Sequence, residues 1–281
     1  MAKRAKKASR KPATRPTAVP VSTPGDTPQV KICFERIIPD DLDPERAARH
    51  VLRDHMVKTA GKRLNANEVH QLARMAVVNT KRWAPGTTLR CRFLDGSPTM
   101  QRKVQAQAKK WEQWANIRLR FVTSGTAEIR ISFYADAGSW SAVGRDALNT
   151  QYFPTHQPTM NYGWLRDTTA DQEYQRVVLH EFGHALGCIH EHQSPQFTRR
   201  WNVEAVMKYF QGPPNYWDEA AIQHNVLQKY SAQGISATRF DPRSIMLYSF
   251  DAALFSDGLG PTNSNTNVSQ SDIQMIRQMY R

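Results

Sequence analysis

Long apolar runs are missing from this chain of 281 residues: none approaches the roughly 18 positions that a membrane-spanning helix needs. Cysteine is scarce as well. Cys33, Cys91 and Cys188 are an odd set without paired spacing, which excludes a full disulfide framework. No internal repeat stands out. The basic start is followed by the proline-bearing stretch 16–24 where a secretory signal would carry an apolar core of roughly 7 to 15 residues, so no conventional signal peptide is expected. The chain is then expected either in the cytoplasm, a reducing compartment, or exported by a non-classical route. Acidic residues are the minority, 25 against 38 Lys and Arg, for a net charge of +13.

That excess is uneven. Residues 1–30 hold Lys3, Arg4, Lys6, Lys7, Arg10, Lys11 and Arg15 against Asp26 alone, about half of it. Mixed with Pro, Ser and Thr and lacking any packing period, residues 1–28 are expected to form a disordered basic tail. Counterion release would give such a tail a weak attraction for nucleic acid or acidic surfaces, although a solubilising terminus is the simpler reading.

What is present is concentrated in one segment, His180 to Glu191. Positions four apart on a helix share a face, so His180 and His184 point the same way. Tyr174, Val178, Phe182, Ala185 and Leu186 fall on the opposite arc, which predicts one helix over 171–186 with a buried stripe and two imidazoles in a cleft. Glu181 lies beside the pair, where its carboxylate reaches a water in an open coordination position and serves as general base. Gly187 follows the last turn and allows a sharp exit, so that His190 can return as third ligand. One catalytic Zn²⁺ held by three histidines, with a water, is the expected site. The HExxH core alone recurs by chance in roughly a few per cent of chains this long; adding Gly at +7 and His at +10 lowers the odds about four-hundredfold. His192 would close the open position if it also bound, and Cys188 is surplus to three histidines, so neither is expected to be a ligand. His50, His55, His70, His156 and His224 have no partner at ligand spacing.

A second segment, Ser244-Ile245-Met246-Leu247-Tyr248, looks like the turn that underlies the zinc site in metzincins. The extended histidine motif, Glu191 directly after the third histidine and this Ser-x-Met-x-Tyr turn together resemble the astacin family of zinc metalloendopeptidases, in its compact bacterial or fungal form. The resemblance runs from about Trp83 to the C-terminus. It implies that His180, His184 and His190 bind zinc, that Glu181 is general base and acid, that Met246 forms the floor, and that Tyr248 is a fifth, switchable ligand. Glu191 would join a buried polar network with a trimmed N-terminus; the alternative for it is a solvated carboxylate. Leu247 departs from the family's usual histidine without touching a ligand.

The organisation follows from pattern changes. After the tail, 29–80 is expected to be a helical extension with helices at 43–59 and 65–78, either a propeptide or a brace; residues 81–281 form the catalytic domain. Within it strands are expected at 88–94, 117–122 and 127–133 and a helix at 99–114, then the zinc helix. Helices at 203–210 and 218–230, and a last one capped by Ser269 or Ser271, follow. The fold class is α+β: a twisted mixed sheet with long helices in an upper half, an irregular and helical lower half, and the cleft between them. Segment 129–141 is a candidate edge strand that would bind an extended peptide by adding it to the sheet. For latency, Gly25-Asp26 and Cys33 are candidates to block the metal, neither in a convincing motif. A zinc-dependent endopeptidase acting on peptide or protein substrates is the expected function. The alternative is a basic, nucleic-acid-associated or other binding protein with a non-proteolytic zinc. The oligomeric state is left open.

Overall fold

The computed structural model describes residues 33–36, 81–213, 216–229 and 240–281. The expected tail at 1–28 and the expected helices at 43–59 and 65–78 lie outside the described residues.

Alternation builds the sheet's outer strands. In β2 (Thr88–Phe93) Leu89 and Cys91 turn inward while Thr88 and Arg90 face out, and β3 (Arg118–Phe121) buries Leu119 alone. By contrast β4 (Ile129–Ser132), β5 (Ser139–Ala142) and β6 (Met160–Tyr162) are buried throughout, the mark of strands covered on both faces. With β1 (Cys33–Arg36) they form a mixed six-stranded sheet in the order β1-β5-β6-β4-β2-β3. All pairs are parallel except β5 with β6.

Two helices cover this sheet. The Ser97 hydroxyl accepts from the Met100 N–H at 3.1 Å and starts α1 (Pro98–Ala108), with Pro98 at the first turn where its missing N–H costs nothing. The helix expected to run to 114 tightens into a 3₁₀ turn over Lys109–Gln113. The zinc-motif helix α2 (Asp171–Ala185) opens with Asp171 and Glu173, favourable at its positive end. Its Tyr174, Val178, Phe182 and Ala185, with Leu186 just beyond, are buried as predicted. So are Val177, Leu179, His180, Glu181 and His184, so the second half of the helix is buried on every face, and each large apolar side chain contributes about 1.5–3 kcal/mol.

The end of α2 is held by side chains from distant segments. The Trp83 indole donates to the Ala185 carbonyl at 2.8 Å and the Tyr280 hydroxyl to the Leu186 carbonyl at 2.7 Å, satisfying groups a helix terminus leaves bare. Lys81 and Asp146, both buried, pair at 2.5 Å and tie the start of this unit to the loop after β5.

Beyond His190 the chain is less regular. Asn202 caps α3 (Val203–Gln211), and Ser269 with Asp272 forms a reciprocal capping box on α5 (Gln270–Met279). Where one helix was expected over 218–230, a single turn, α4 (Glu219–Ile222), runs into a π-helical segment, Gln223–Leu227. The edge-strand expectation for 129–141 is also corrected. Its first part, β4, lies between β6 and β2, and its last part, β5, lies between β6 and β1, so neither is an edge: the outermost strands of the sheet are β1 and β3.

Candidate zinc site

The exit from α2 forms as its sequence allows. Gly187 adopts φ 92°, its N–H reaches the His184 carbonyl at 2.7 Å, and the Cys188 N–H reaches back to Gly183 at 2.9 Å, a Schellman closure that needs a left-handed residue. The reversed chain brings His190 against the two helical histidines. His184 Nε2 is then 3.2 Å from His180 Nε2 and 3.0 Å from His190 Nε2. All three imidazoles are buried.

The outer nitrogens decide the tautomers. His180 Nδ1 donates to the Ile245 carbonyl at 2.8 Å, and His184 Nδ1 to the Cys188 carbonyl at 2.9 Å. His190 Nδ1 donates to the Gln193 side-chain oxygen at 3.1 Å; that side chain is oriented because its amide donates to the His224 and Gln228 carbonyls. With the proton on Nδ1, each Nε2 directs a lone pair at one common point. Burial also keeps the rings neutral: it lowers His184 to about 4, and it holds His180 and His190, each beside another histidine, well below the ordinary value. Three converging lone pairs repel unless a cation shares them. Their spacing is close to the roughly 3.3 Å that a tetrahedral ion with Zn–N bonds of about 2.0–2.1 Å would impose. The donor set therefore fits zinc.

Glu181 is wholly buried beside this point. Tyr248, from the turn below, places its hydroxyl 2.5 Å from His190 Nε2 and donates to the Cys33 carbonyl. The turn itself is fixed by Asp272, whose carboxylate accepts from the Ser244 hydroxyl at 2.7 Å and the Ile245 N–H at 2.8 Å. A chain of contacts therefore runs from the cap of α5 through Ile245 to the orientation of His180. Met246 lies under the zinc helix, close enough that a Cβ on Gly183 would meet its sulfur at 2.4 Å. Glu191 is buried and accepts from the Asp241 N–H at 2.8 Å, so the solvated-carboxylate alternative does not hold; burial raises it to about 7.

Two neighbours of the motif sit outside the cluster of converging atoms. His192 Nε2 donates to the Asn225 carbonyl at 3.0 Å, and its ring stacks on His190 with centroids 5.2 Å apart. Cys188 contributes its carbonyl to His184, and burial pushes its thiol up to about 12. His156 is exposed and His224 half-buried, away from the centre; His50, His55 and His70 are outside the described residues.

One residue arrives that no motif marked. Cys33 is buried, and its sulfur lies within 4.8 Å of ligand atoms of both His180 and Glu181. Burial, and next the Glu181 carboxylate, push its thiol well up. The sequence offers Cys33 only as a candidate to block the metal; Gln193 and Asp272 are invisible in it in their orienting roles, since each acts through a contact and neither through spacing. The other latency candidate, Gly25-Asp26, lies outside the described residues.

Comparison with known proteins gives the following likenesses. A family model described as matrixin matches residues 82–207. The solved structure of myroilysin superposes with a TM-score of 0.68 at 39% identity, covering 72% of this chain and 97% of that one. High choriolytic enzyme 1, a hatching-enzyme zinc-protease from Oryzias latipes, the medaka fish, superposes with a TM-score of 0.50 at 20% identity, over 72% of this chain and 95% of that one; this likeness concerns the fold. Human Tolloid-like protein 1 is 26% identical over 231 residues, which is 76% of this chain and 20% of that protein, so the chain spans about a fifth of this curated relative.

Proposed function

The chain belongs to the metzincin zinc peptidases, and from that premise we propose that it is an astacin-like metalloendopeptidase whose catalytic unit occupies residues 81–281. Support for the astacin branch comes from Glu191 directly after His190 and from the Ser244 to Tyr248 turn with its tyrosine. The observation that carries the reading is the convergence of three unprotonated Nε2 atoms beside a buried carboxylate.

His180, His184 and His190 would hold one zinc ion. When bound, zinc supplies Lewis acidity, which makes a water nucleophilic near neutral pH and polarises the scissile carbonyl. Glu181 takes the proton from the attacking water and delivers it to the departing amine. Tyr248 turns its hydroxyl to the oxyanion and donates a hydrogen bond there. A peptide laid along β5 would be held by backbone pairing, which fixes the scissile amide without choosing side chains.

The same observations support a latent form. β1 pairs with β5, and the Cys33 sulfur lies within 4.8 Å of ligand atoms of His180 and Glu181, where it would crowd the water that Glu181 activates; this favours a propeptide over a brace for 29–80.

The test is cleavage of casein or a peptide library by the full chain, with chelation and zinc add-back. Cys33→Ser should raise the rate over wild type. Glu181→Gln in that background should lower it about 10²–10⁴-fold while zinc content stays the same. No cleavage by Cys33→Ser with zinc would sink the peptidase assignment. A binding protein carrying an incidental zinc would instead be indifferent to Glu181→Gln.

A further inference from the structure

The strand that fills the cleft also shows a feature of the surface it covers. β1 runs parallel to β5 with position 34 opposite Trp140 and Arg36 opposite Ala142. Successive side chains of a strand leave on opposite faces, so Cys33 and Arg36, three residues apart, point to opposite sides. Cys33 meets the metal site. Arg36 lies on the other face, with its guanidinium carbon 3.9 Å from the centroid of the Trp140 ring.

That ring is a fixed platform. Trp140 stacks on Phe153 with centroids 6.4 Å apart and planes 27° from parallel, and the two join Ala142 and Ala147 in a small core separate from the main one. Tryptophan presents the most favourable aromatic face to a cation, and the planar guanidinium is the cation that stacks on it best. The platform belongs to the catalytic unit, whereas the cation comes from the strand occupying the peptide edge.

We propose that Trp140 is a guanidinium-recognising subsite of the substrate cleft, filled by Arg36 in the latent chain and by a substrate arginine once β1 leaves. The proposal rests on the peptidase reading and on β5 as the peptide edge. Three residues of extended chain set the backbone of the arginine that fills the subsite about 10 Å along the strand from Cys33, with its guanidinium reaching back over Trp140, which stands opposite position 34.

Two measurements on the full chain test it. In the first, zinc-loaded protein is treated with iodoacetamide and alkylation of Cys33 is followed by peptide mapping. Arg36→Ala should raise the rate roughly 3- to 30-fold, Arg36→Lys by less, and Trp140→Leu should match Arg36→Ala. An unchanged rate in Arg36→Ala, a surface substitution that leaves the cores intact, overturns the contact. In the second, cleavage sites in casein are mapped for Cys33→Ala/Arg36→Ala, which frees both the metal and the platform. Arginine should be enriched at one fixed distance from the scissile bond, and adding Trp140→Leu should abolish that enrichment. Sites without arginine preference, or a preference that survives Trp140→Leu, overturn the subsite. No cleavage at all overturns the peptidase reading and the substrate role with it, and the alkylation result distinguishes that outcome from failure of the Trp140 contact.

Discussion

Tyr248 shows what a single side chain adds to the three histidines. Its hydroxyl is held 2.5 Å from His190 Nε2 in the covered site and donates to the Cys33 carbonyl of β1. A donor that engages charge developing in the transition state lowers the barrier without tightening substrate binding. Tyr248→Phe in the Cys33→Ser background should therefore reduce kcat by about 10²–10³-fold with KM and zinc content nearly unchanged. An unaltered kcat in steady-state peptide hydrolysis would remove the tyrosine from the chemistry. At this scale the identities of His180, Glu181, His184 and His190 were legible because helical period and one glycine turn fix their relative directions. Gln193 and Asp272 were not, and Cys33 was legible only as a candidate to block the metal, outside any convincing motif. Asp272 reaches Ser244 across 28 positions and Cys33 meets Tyr248 across 215, separations that carry no local pattern.

Elements meet at Gly183, inside the zinc motif itself. Alanine there would gain about 1 kcal/mol of helix propensity, but its Cβ would lie 2.4 Å from the Met246 sulfur and 3.5 Å from the Trp111 ring. Met246 is buried, so the end of its side chain must shift into packed surroundings, and overpacking of about 1–3 kcal/mol is expected to outweigh the gain. Gly183→Ala should lower the melting temperature, and it should weaken zinc binding in a chelator competition, because Met246 carries the turn whose Ile245 carbonyl orients His180. A raised melting temperature would contradict this. The long helix α2 and the alternating strand β2 were readable from their periods. The break at 222–223 was not. There the Asn225 amide donates to the Ala221 carbonyl at 2.9 Å and the Asn225 carbonyl accepts from His192, so a tertiary contact to the site favours a π turn over a continuous helix. The early end of α1 has a similar origin, since Glu112 turns to accept from the Leu119 N–H at 2.7 Å and ties the 3₁₀ turn to β3.

Across the whole molecule the two halves meet at the three histidines. α2 and β1 come from above, while the 244–248 turn and α5 come from below, and the three lone pairs between them are a repulsive junction until an ion fills it. Binding that favours the folded state adds about 4 kcal/mol at a thousandfold excess over Kd. For a domain of this size that is a shift in Tm of roughly 8–16 °C. Chelation followed by calorimetry should show such a fall, and stoichiometric zinc should reverse it; a melt indifferent to chelator would show that the three histidines hold no tight ion. No described helix is long and apolar enough to cross a membrane.

By itself the sequence determined the zinc chemistry and the α+β class, because both rest on short-range periods: 3.6 residues for the ligand pair, 2 for the strands, and one left-handed glycine that returns the third histidine. It determined nothing about which strand would border the cleft, because pairing order depends on long-range topology and several strands have similar burial patterns. Only the tertiary structure set β4 inside the sheet and laid Cys33 to Arg36 along β5 as the outermost strand. That decision brought a thiol, a tyrosine and a carboxylate to one centre and a guanidinium onto Trp140, since hydrophobic burial and backbone pairing act on neighbours in space whatever their distance along the chain.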